Sequence, residues 1–505
     1  MSHKEDYFST EHLKSNLKSH AIKGAGVTVF GNTTMYFIQM LGTVILARLL
    51  TPEDFGLVAM VLAIYVFFKM ARNLGLIDAT IQREDINHKQ ISSLFWVNVI
   101  FSICLTGIFM IFSPVIAWLY KEPALKLIAI IISLDFIFGG ISAQHRALLK
   151  RNMQFIKFAV NENMAMLLSY SIAIYIAFLN YSYWAIVARH LSYAIIEATG
   201  AWIFCRWRPG LPATKSGIRS MIKFGINMLG NLSIRQVTEN VDKILIGWRY
   251  GSESLGYYHK AYHLFLAPAQ QLTVPLTGVA VATLSRINKE IDKYRQYYLN
   301  AISMIAFIGF PLSAILTLTG SDIILLLLGP QWDKAGEIFS VFGLGIGIQL
   351  LYGTNAWLHI SLDKTDKWLR WTLFASIFII IAYIAGLPFG VVGVASSYVI
   401  AIYILVLPSI KYAGKPINLK LSSVLSVTST YYFAALISGI ICWYLLNYIG
   451  TVQSIYSQLN IFIRIISASI LCLTIYLILV ISYYRSVQPI NKFFSILKEM
   501  LPSVK

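Results

Sequence analysis

Gly31-Asn-Thr-Thr-Met-Tyr-Phe-Ile-Gln-Met-Leu-Gly-Thr-Val-Ile-Leu-Ala-Arg-Leu-Leu-Thr-Pro-Glu-Asp-Phe-Gly56 is an apolar run closed by a turn signal, Thr51-Pro52-Glu53-Asp54. Roughly 20 apolar residues coiled as a helix rise about 30 Å, the thickness of bilayer hydrocarbon. The same plan returns about 200 residues later, where Gly230-Asn231 leads into a second run ending in Gly251-Ser-Glu-Ser-Leu-Gly256. Similar runs continue along the whole chain. A bundle of membrane helices, duplicated once within the sequence, is the architecture this pattern predicts.

Composition agrees. The 505 residues are 57% hydrophobic and only 13% charged, with a mean hydropathy of +0.66, whereas soluble domains carry about 25% charged residues. That excludes an ordinary soluble protein. The apolar runs predict helices over residues 25–50, 55–72, 91–112, 125–142, 158–179 and 183–205. A second group covers 222–248, 255–284, 297–318, 338–359, 368–387 and 391–410, and two more helices cover 424–448 and 461–484. The expected fold is therefore all-α and integral to the membrane, with about fourteen spans.

A net charge of +18 would point to nucleic acid in a soluble protein, but here the basic residues fill alternate short gaps between runs. Gaps holding Arg83 and Lys89, Arg146 to Lys157, Arg206 to Lys223, Arg286 to Arg295, Lys364 to Arg370 and Lys411 to Lys420 read as cytoplasmic. The intervening gaps hold only Arg48, Lys121, Arg249 and Lys334. The alternation predicts both termini in the cytoplasm and a multi-pass protein of the bacterial inner membrane. Residues 1–23 are polar and of mixed charge, so no cleavable signal peptide is expected.

Each group of six spans returns the chain to the side on which it began. The two copies therefore share one orientation and should be related by an axis along the membrane normal. The expected organisation is a tail over 1–23, an N-lobe over 24–208, a C-lobe over 209–412, and two extra helices with a second tail over 413–505. Two pseudo-symmetric six-helix lobes would then enclose a central cavity. No outer gap has room for an extramembrane domain, so recognition must occur within the helices or at their ends.

Ionisable groups at bilayer depth cost at least about 2.5–3.5 kcal/mol each on insertion scales and normally face a cavity or a partner. The seventh span carries Arg235, Glu239, Asp242 and Lys243, and the eighth adds His259, Lys260 and His263 beside Pro268 and Pro275. These charges either neutralise one another and lock packing or line a cavity; four on one span favours the cavity. Lys69 and Arg72 on the second span either snorkel to the interface or join the same polar interior, as do Arg189 and Glu197 on the sixth. Asp135 on the fourth span and Glu162 on the fifth are either a proton or cation site or interhelical hydrogen-bonding groups. Arg464 interrupts the last span without evident cause.

Catalytic signatures point nowhere. The sequence has no Walker A motif, no GxSxG and no HExxH, and Cys104, Cys205, Cys442 and Cys472 include no CxxC pair. No enzyme, metal or cofactor is expected.

Three segments carry a family resemblance: Ala47-Arg-Leu-Leu-Thr-Pro-Glu-Asp-Phe-Gly56, Glu239-Asn-Val-Asp-Lys-Ile-Leu-Ile-Gly247 followed by Leu255-Gly-Tyr-Tyr258, and Leu328-Gly-Pro-Gln-Trp-Asp-Lys-Ala335. They resemble the polysaccharide transporter branch of the multidrug/oligosaccharidyl-lipid/polysaccharide flippase superfamily, and within it the Wzx-type lipopolysaccharide and colanic acid exporters. The resemblance implies a two-lobed flippase that carries undecaprenyl-pyrophosphate-linked oligosaccharide from the cytoplasmic to the periplasmic leaflet without ATP. It implies as partners the lipid-linked oligosaccharide, membrane lipids, and polysaccharide polymerase and export machinery.

Under that reading Arg235, Lys243, Lys260, Lys69, Arg72 and Arg189 are candidates for the pyrophosphate-bearing headgroup. Asp135, Glu239, Asp242, Glu162 and Glu197 are candidates for coupling to H+ or Na+. Tyr250, Tyr257, Tyr258 and Tyr262 either stack on sugars or form an interfacial belt. The extra C-terminal pair is expected to line the path of the lipid tail. The rivals are a cation-coupled multidrug exporter of the same superfamily and a membrane glycan polymerase or ligase.

Overall fold

The computed structural model describes residues 7–8, 17–73, 75–83, 85–212, 219–488 and 491, and its regular structure there is helical with no strand. In chain order the first helices are α1 (Leu17–Leu49), α2 (Pro52–Asn73), α3 (Leu76–Gln82), α4 (His88–Tyr120), α5 (Ala124–Arg151), α6 (Phe155–Phe178) and α7 (Trp184–Phe204). They are followed by α8 (Arg219–Arg286), α9 (Ile291–Leu328), α10 (Asp333–Gly353), α11 (Asn355–Ser361), α12 (Thr365–Gly386) and α13 (Gly390–Gly414). The chain ends in α14 (Leu421–Tyr448), α15 (Gly450–Gln458) and α16 (Ile461–Tyr484). Among the described residues, nine stretches are long and apolar enough to cross a membrane. One of them, Thr365–Ile417, takes in both α12 and α13.

Lipid is the natural solvent for the outer faces. Ile100, Ile103, Ile111 and Trp118 on α4, Phe433 and Ile440 on α14, and Ile463 and Ile470 on α16 all stand exposed. Apolar surface of this extent is incompatible with a soluble monomer, and helices satisfy their own backbone groups in hydrocarbon.

Local chemistry sets several helix ends. The turn signal after the first run becomes a reciprocal cap. The backbone N–H of Thr51 donates to Asp54 Oδ2 at 2.9 Å, and that of Asp54 donates to Thr51 Oγ1 at 3.2 Å. Pro52 occupies the first helical position, where its missing N–H costs nothing. Asn87 and Gln90 form the corresponding capping box at the start of α4. Inside α8, Gly251 (φ 81°, ψ −176°) breaks the helical path, a backbone geometry that glycine adopts without a steric penalty.

Two compact units are present, residues 1–256 and 257–505. In the first, the two copies of the repeated motif meet. A Cβ on Gly56 would overlap the carbonyl of Ser252, and one on Gly256 would overlap the carbonyl of Pro52. Both glycines close the recurring sequence motif, and the contact between the two segments is reciprocal.

The helices outrun the apolar stretches that predicted them. The fourth run ends near Ser142, yet α5 continues to Arg151, because backbone hydrogen bonds continue wherever the turn is supported, whatever the polarity of the side chain. Arg146, Lys150 and Arg151, read above as loop charges, are therefore helical residues. In the second unit, Arg464 Nη2 on α16 pairs with Asp322 Oδ1 on α9 at 2.8 Å. That ion pair accounts for the charge interrupting the last span.

A charged cavity in the first unit and an apolar groove in the second

Four helices build a cavity of about 340 Å³ in the first unit. Lys69 and Arg72 come from α2, Asp78 from α3, Asp135, Gly139 and Arg146 from α5, and Tyr193 and Glu197 from α7. The spacings explain the gathering. Asp135, Gly139 and Arg146 lie four and seven residues apart, one face of α5, and Lys69 with Arg72 share a face of α2. Gly139 is small by necessity, since a Cβ there would strike the Arg72 guanidinium.

The charges form two linked sets. In one, Arg72 Nη1 lies 3.4 Å from Asp135 Oδ2, and the Tyr65 hydroxyl donates to the same carboxylate oxygen. Their side chains are only 11% and 18% exposed, so each charge depends on its partner. In the other, Arg146 serves two carboxylates. Its Nη2 donates to Glu162 Oε1 at 3.1 Å, and its Nε lies 3.0 Å from Glu197 Oε1.

The second of these contacts is Coulombic and not directed, because neither Arg146 Nε nor Glu197 Oε1 makes a hydrogen bond. Glu197 is fixed instead by Ser142 Oγ, which donates to its Oε2 at 3.1 Å, and by Asn161 Nδ2, which donates to its backbone carbonyl at 3.0 Å.

Lys69 differs from these. It is exposed where it lines the cavity, and its Nζ lies over the Tyr65 ring, 5.7 Å from the centroid. Among the described residues it makes no ion pair. Arg189 lies over the Tyr170 ring at 5.1 Å and contacts His190 Nε2 at 2.9 Å. Free donors on Lys69 and Arg146, with Arg72 beside them, provide charge-assisted hydrogen bonds for an anion.

Of the residues singled out from the sequence, Lys69, Arg72, Asp135 and Glu197 converge on this cavity, and Glu162 joins through Arg146. Among the described residues of the seventh span, Glu239, Asp242 and Lys243 are not part of its lining. Asp242 is wholly buried, its Oδ1 accepting from the Lys243 backbone N–H at 2.8 Å. Lys243 Nζ lies 3.9 Å from that carboxylate, donates to the Glu239 carbonyl, and reaches Asn240 Oδ1 at 3.3 Å. Lys260 is buried in the second unit. The side chains of Arg235, Pro268 and Pro275 lie outside the described residues.

Sequence reasoning missed Arg146, Tyr193, Asp78 and Tyr65. From the sequence, Arg146 reads only as a charge of a cytoplasmic gap.

The second unit offers the opposite chemistry. A groove of about 540 Å³ runs between α9, α10, α13 and α14, lined by Phe310, Leu318, Leu344, Tyr403, Leu436 and Trp443 among others. Its walls are almost wholly apolar. Such a surface suits an alkyl or prenyl chain.

An all-helical, multi-pass membrane protein with charge gathered inside one unit and an apolar groove in the other defines the class of membrane transporters. The model of one family, described as "Polysaccharide biosynthesis protein", matches residues 45–337. The chain belongs to that family, the polysaccharide flippases of the multidrug/oligosaccharidyl-lipid/polysaccharide superfamily.

Among curated relatives, the teichuronic acid biosynthesis protein TuaB of Bacillus subtilis is 24% identical over 361 residues, 70% of this chain and 74% of TuaB. The lipopolysaccharide biosynthesis protein WzxC of Escherichia coli is 22% identical over 394 residues, 76% of this chain and 79% of WzxC. Among solved structures, the lipid II flippase MurJ in an inward closed conformation superposes with a TM-score of 0.72 at 17% identity, over 92% of this chain and 99% of MurJ. That last likeness establishes the fold.

Proposed function

We propose that this protein moves a polyprenyl-pyrophosphate-linked oligosaccharide from the cytoplasmic to the periplasmic leaflet of the inner membrane by alternating access, without ATP and without enzymatic chemistry. The observation that carries the reading is the cavity where Lys69, Arg72 and Arg146 meet Asp78, Asp135 and Glu197, with Lys69 outside any ion pair among the described residues and Arg146 Nε without a hydrogen bond. A pyrophosphate needs such donors. The groove, whose walls come from α9, α10, α13 and α14, suits the prenyl tail.

The rest of the topology belongs to this proposal. With α8 counted on either side of Gly251 and α10 joined to α11, the long helices make about fourteen traverses, which keeps both termini cytoplasmic. The repeat divides the lobes at 208/209, and coupling uses H+ or Na+. Arg235, Lys243 and Lys260 remain candidates for later contacts with the headgroup, and a polysaccharide polymerase and export machinery would receive the product.

Cells lacking the protein provide the test. Intact lipid-linked repeat units should accumulate on the inner leaflet and be restored to export by the wild-type gene. Unpolymerised units accumulating on the outer leaflet would instead assign the chain to a later, enzymatic step.

A further inference from the structure

We propose that the second unit carries a binding site for an anionic phospholipid with a hydroxylated head group, of the phosphatidylglycerol kind, in the pocket where Arg295 and Lys420 meet. Such a lipid would be a standing partner of the protein, whatever its cargo.

Two spanning helices begin side by side here. α9 starts at Ile291 and α14 at Leu421, each the first residue of a stretch long and apolar enough to cross a membrane. Between their first turns lies a pocket of about 480 Å³, inside the range of about 300–1,000 Å³ usual for small-molecule sites. Arg295, Gln296 and Asn300 line it from α9, and Asn418, Lys420 and Ser423 from the connection into α14 and its first turn. The connection is shaped locally. Lys415–Ile417 make a 3-10 turn, Asn418 takes a left-handed conformation (φ 50°, ψ 42°), and the Leu419 N–H donates to the Gly414 carbonyl at 3.1 Å. Asparagine accepts that conformation more readily than most residues, and the turn leaves Lys420 at the threshold of the helix.

Charge in the pocket is unbalanced. Arg295 and Lys420 share its lining with one carboxylate, Asp292. Arg295 Nη2 lies 3.2 Å from Asp292 Oδ1, but the Asp292 side chain is 96% exposed, so water screens the pair and it holds the guanidinium weakly. Arg295 Nε is buried and has no hydrogen-bond partner, and Lys420 makes no ion pair among the described residues. No side chain caps α14, so its first N–H groups and the positive end of its dipole favour an anion as well. One positive charge in excess, with donors to spare, matches one phosphodiester.

Depth and the rest of the lining select the ligand. The first turns of spanning helices lie where head groups meet hydrocarbon, and Leu299, Leu419 and Val427 give the pocket an apolar side. A soluble phosphate ester has no use for that side, whereas the first carbons of an acyl chain do. Basic pockets between helices on the cytoplasmic side recognise anionic lipid head groups, and the pocket lies between two gaps of the basic kind, Arg286 to Arg295 and Lys411 to Lys420. Choline would need an aromatic cage, and no aromatic residue is among those described in the lining. Ethanolamine would need an acceptor for its ammonium, and the one carboxylate is engaged with Arg295. Glycerol hydroxyls suit the amides of Gln296 and Asn418 and the hydroxyl of Ser423, which both donate and accept.

Native mass spectrometry of the full-length protein in detergent, titrated with phosphatidylglycerol or with phosphatidylcholine of the same acyl chains, is the experiment. Wild-type protein should take up its first phosphatidylglycerol about tenfold more tightly than phosphatidylcholine. Arg295→Gln/Lys420→Gln should lose that preference. Lys411→Gln/Lys415→Gln, which removes as much charge from one of the same gaps but outside the pocket, should keep it. Equal binding of the two lipids by the wild type overturns the site, and so does equal loss in the two double variants, which would mean that any positive surface suffices.

Glycerophosphoglycerol, the same head group without chains, should fail to displace the lipid at equal concentration; displacement would assign the pocket to a soluble phosphate ester instead. Should the first double variant fold poorly, Asp292→Asn gives an opposite and milder test. Freeing Arg295 from its exposed partner should tighten phosphatidylglycerol about two- to threefold, and unchanged or weaker binding overturns the proposal.

Discussion

The cavity of the first unit and the groove of the second are opposites in the same chain. One gathers Lys69, Arg72, Asp135, Arg146 and Glu197 around about 340 Å³, and the other surrounds about 540 Å³ with aromatic and aliphatic walls. A cargo that needed only charge would have no use for the groove. One that needed only grease would not repay the insertion of so many ions, each of which must find a partner or a ligand at depth. Under the function proposed above, the two surfaces would serve the charged head and the apolar tail of one amphiphile.

Gly256→Val tests the frame that holds the first unit together, and here the largest effect is expected. Its Cβ would overlap the Pro52 carbonyl, which is backbone and cannot swing aside. Folding should fail, or stability should fall by several kcal/mol, about 3 or more, read by thermal unfolding in detergent. A wild-type melting curve would mean that the reciprocal glycine contact carries no load.

Arg72→Ala strips the partner from Asp135. Leaving a mostly buried carboxylate without its cation costs about 3 kcal/mol, and transport should drop at least tenfold. Gly139→Ala is a milder version, shifting the Arg72 side chain without deleting it, and should slow transport several-fold with little change in melting. If Gly139→Ala transports normally, the position of Arg72 does not matter to cargo.

The groove is probed by filling it. Leu436 is 43% exposed and lines it, so Leu436→Trp adds bulk to open space and not to the core. Transport of a prenyl-linked cargo should slow several-fold while pyrophosphate binding stays unchanged. Equal loss of both would dissolve the division between head and tail surfaces.

The smallest effect belongs to Asp322→Asn, which removes the partner of Arg464. With Asp322 only 11% and Arg464 30% exposed, about 2 kcal/mol is expected. It should appear as easier release of α16 in hydrogen exchange, with transport near normal.

Much of this was legible in the sequence, for identifiable reasons. Apolar runs located the helices because bilayer thickness sets their length, and Thr51-Pro52-Glu53-Asp54 marked a helix start because capping is local chemistry. The motif ending in Gly56 recurs at Gly256 in the sequence, although nothing in it announced that the two glycines pack reciprocally.

The charged cavity was only half readable. Lys69, Arg72, Asp135 and Glu197 stood out as ions at depth, but Arg146 lay beyond the end of its apolar run and passed for loop charge. Its importance depends on Glu162 and Glu197 arriving from two other helices, a tertiary fact that no local pattern encodes. The charges on residues 239–243 drew attention by number, yet Lys243 and Asp242 are largely satisfied within their own helix. What distinguishes a site from a structural ion pair here is adjoining open space, which sequence does not display.

Reconstituted flipping tests the central claim most directly. Proteoliposomes loaded with a fluorescent polyprenyl-pyrophosphate oligosaccharide would be read by the rate at which cargo reaches the opposite leaflet. Wild-type protein should accelerate that transfer well beyond protein-free vesicles, with Lys69→Gln slowed about tenfold at equal insertion and folding. A Lys69→Gln rate equal to wild type, or a wild-type rate equal to empty vesicles, would contradict the account.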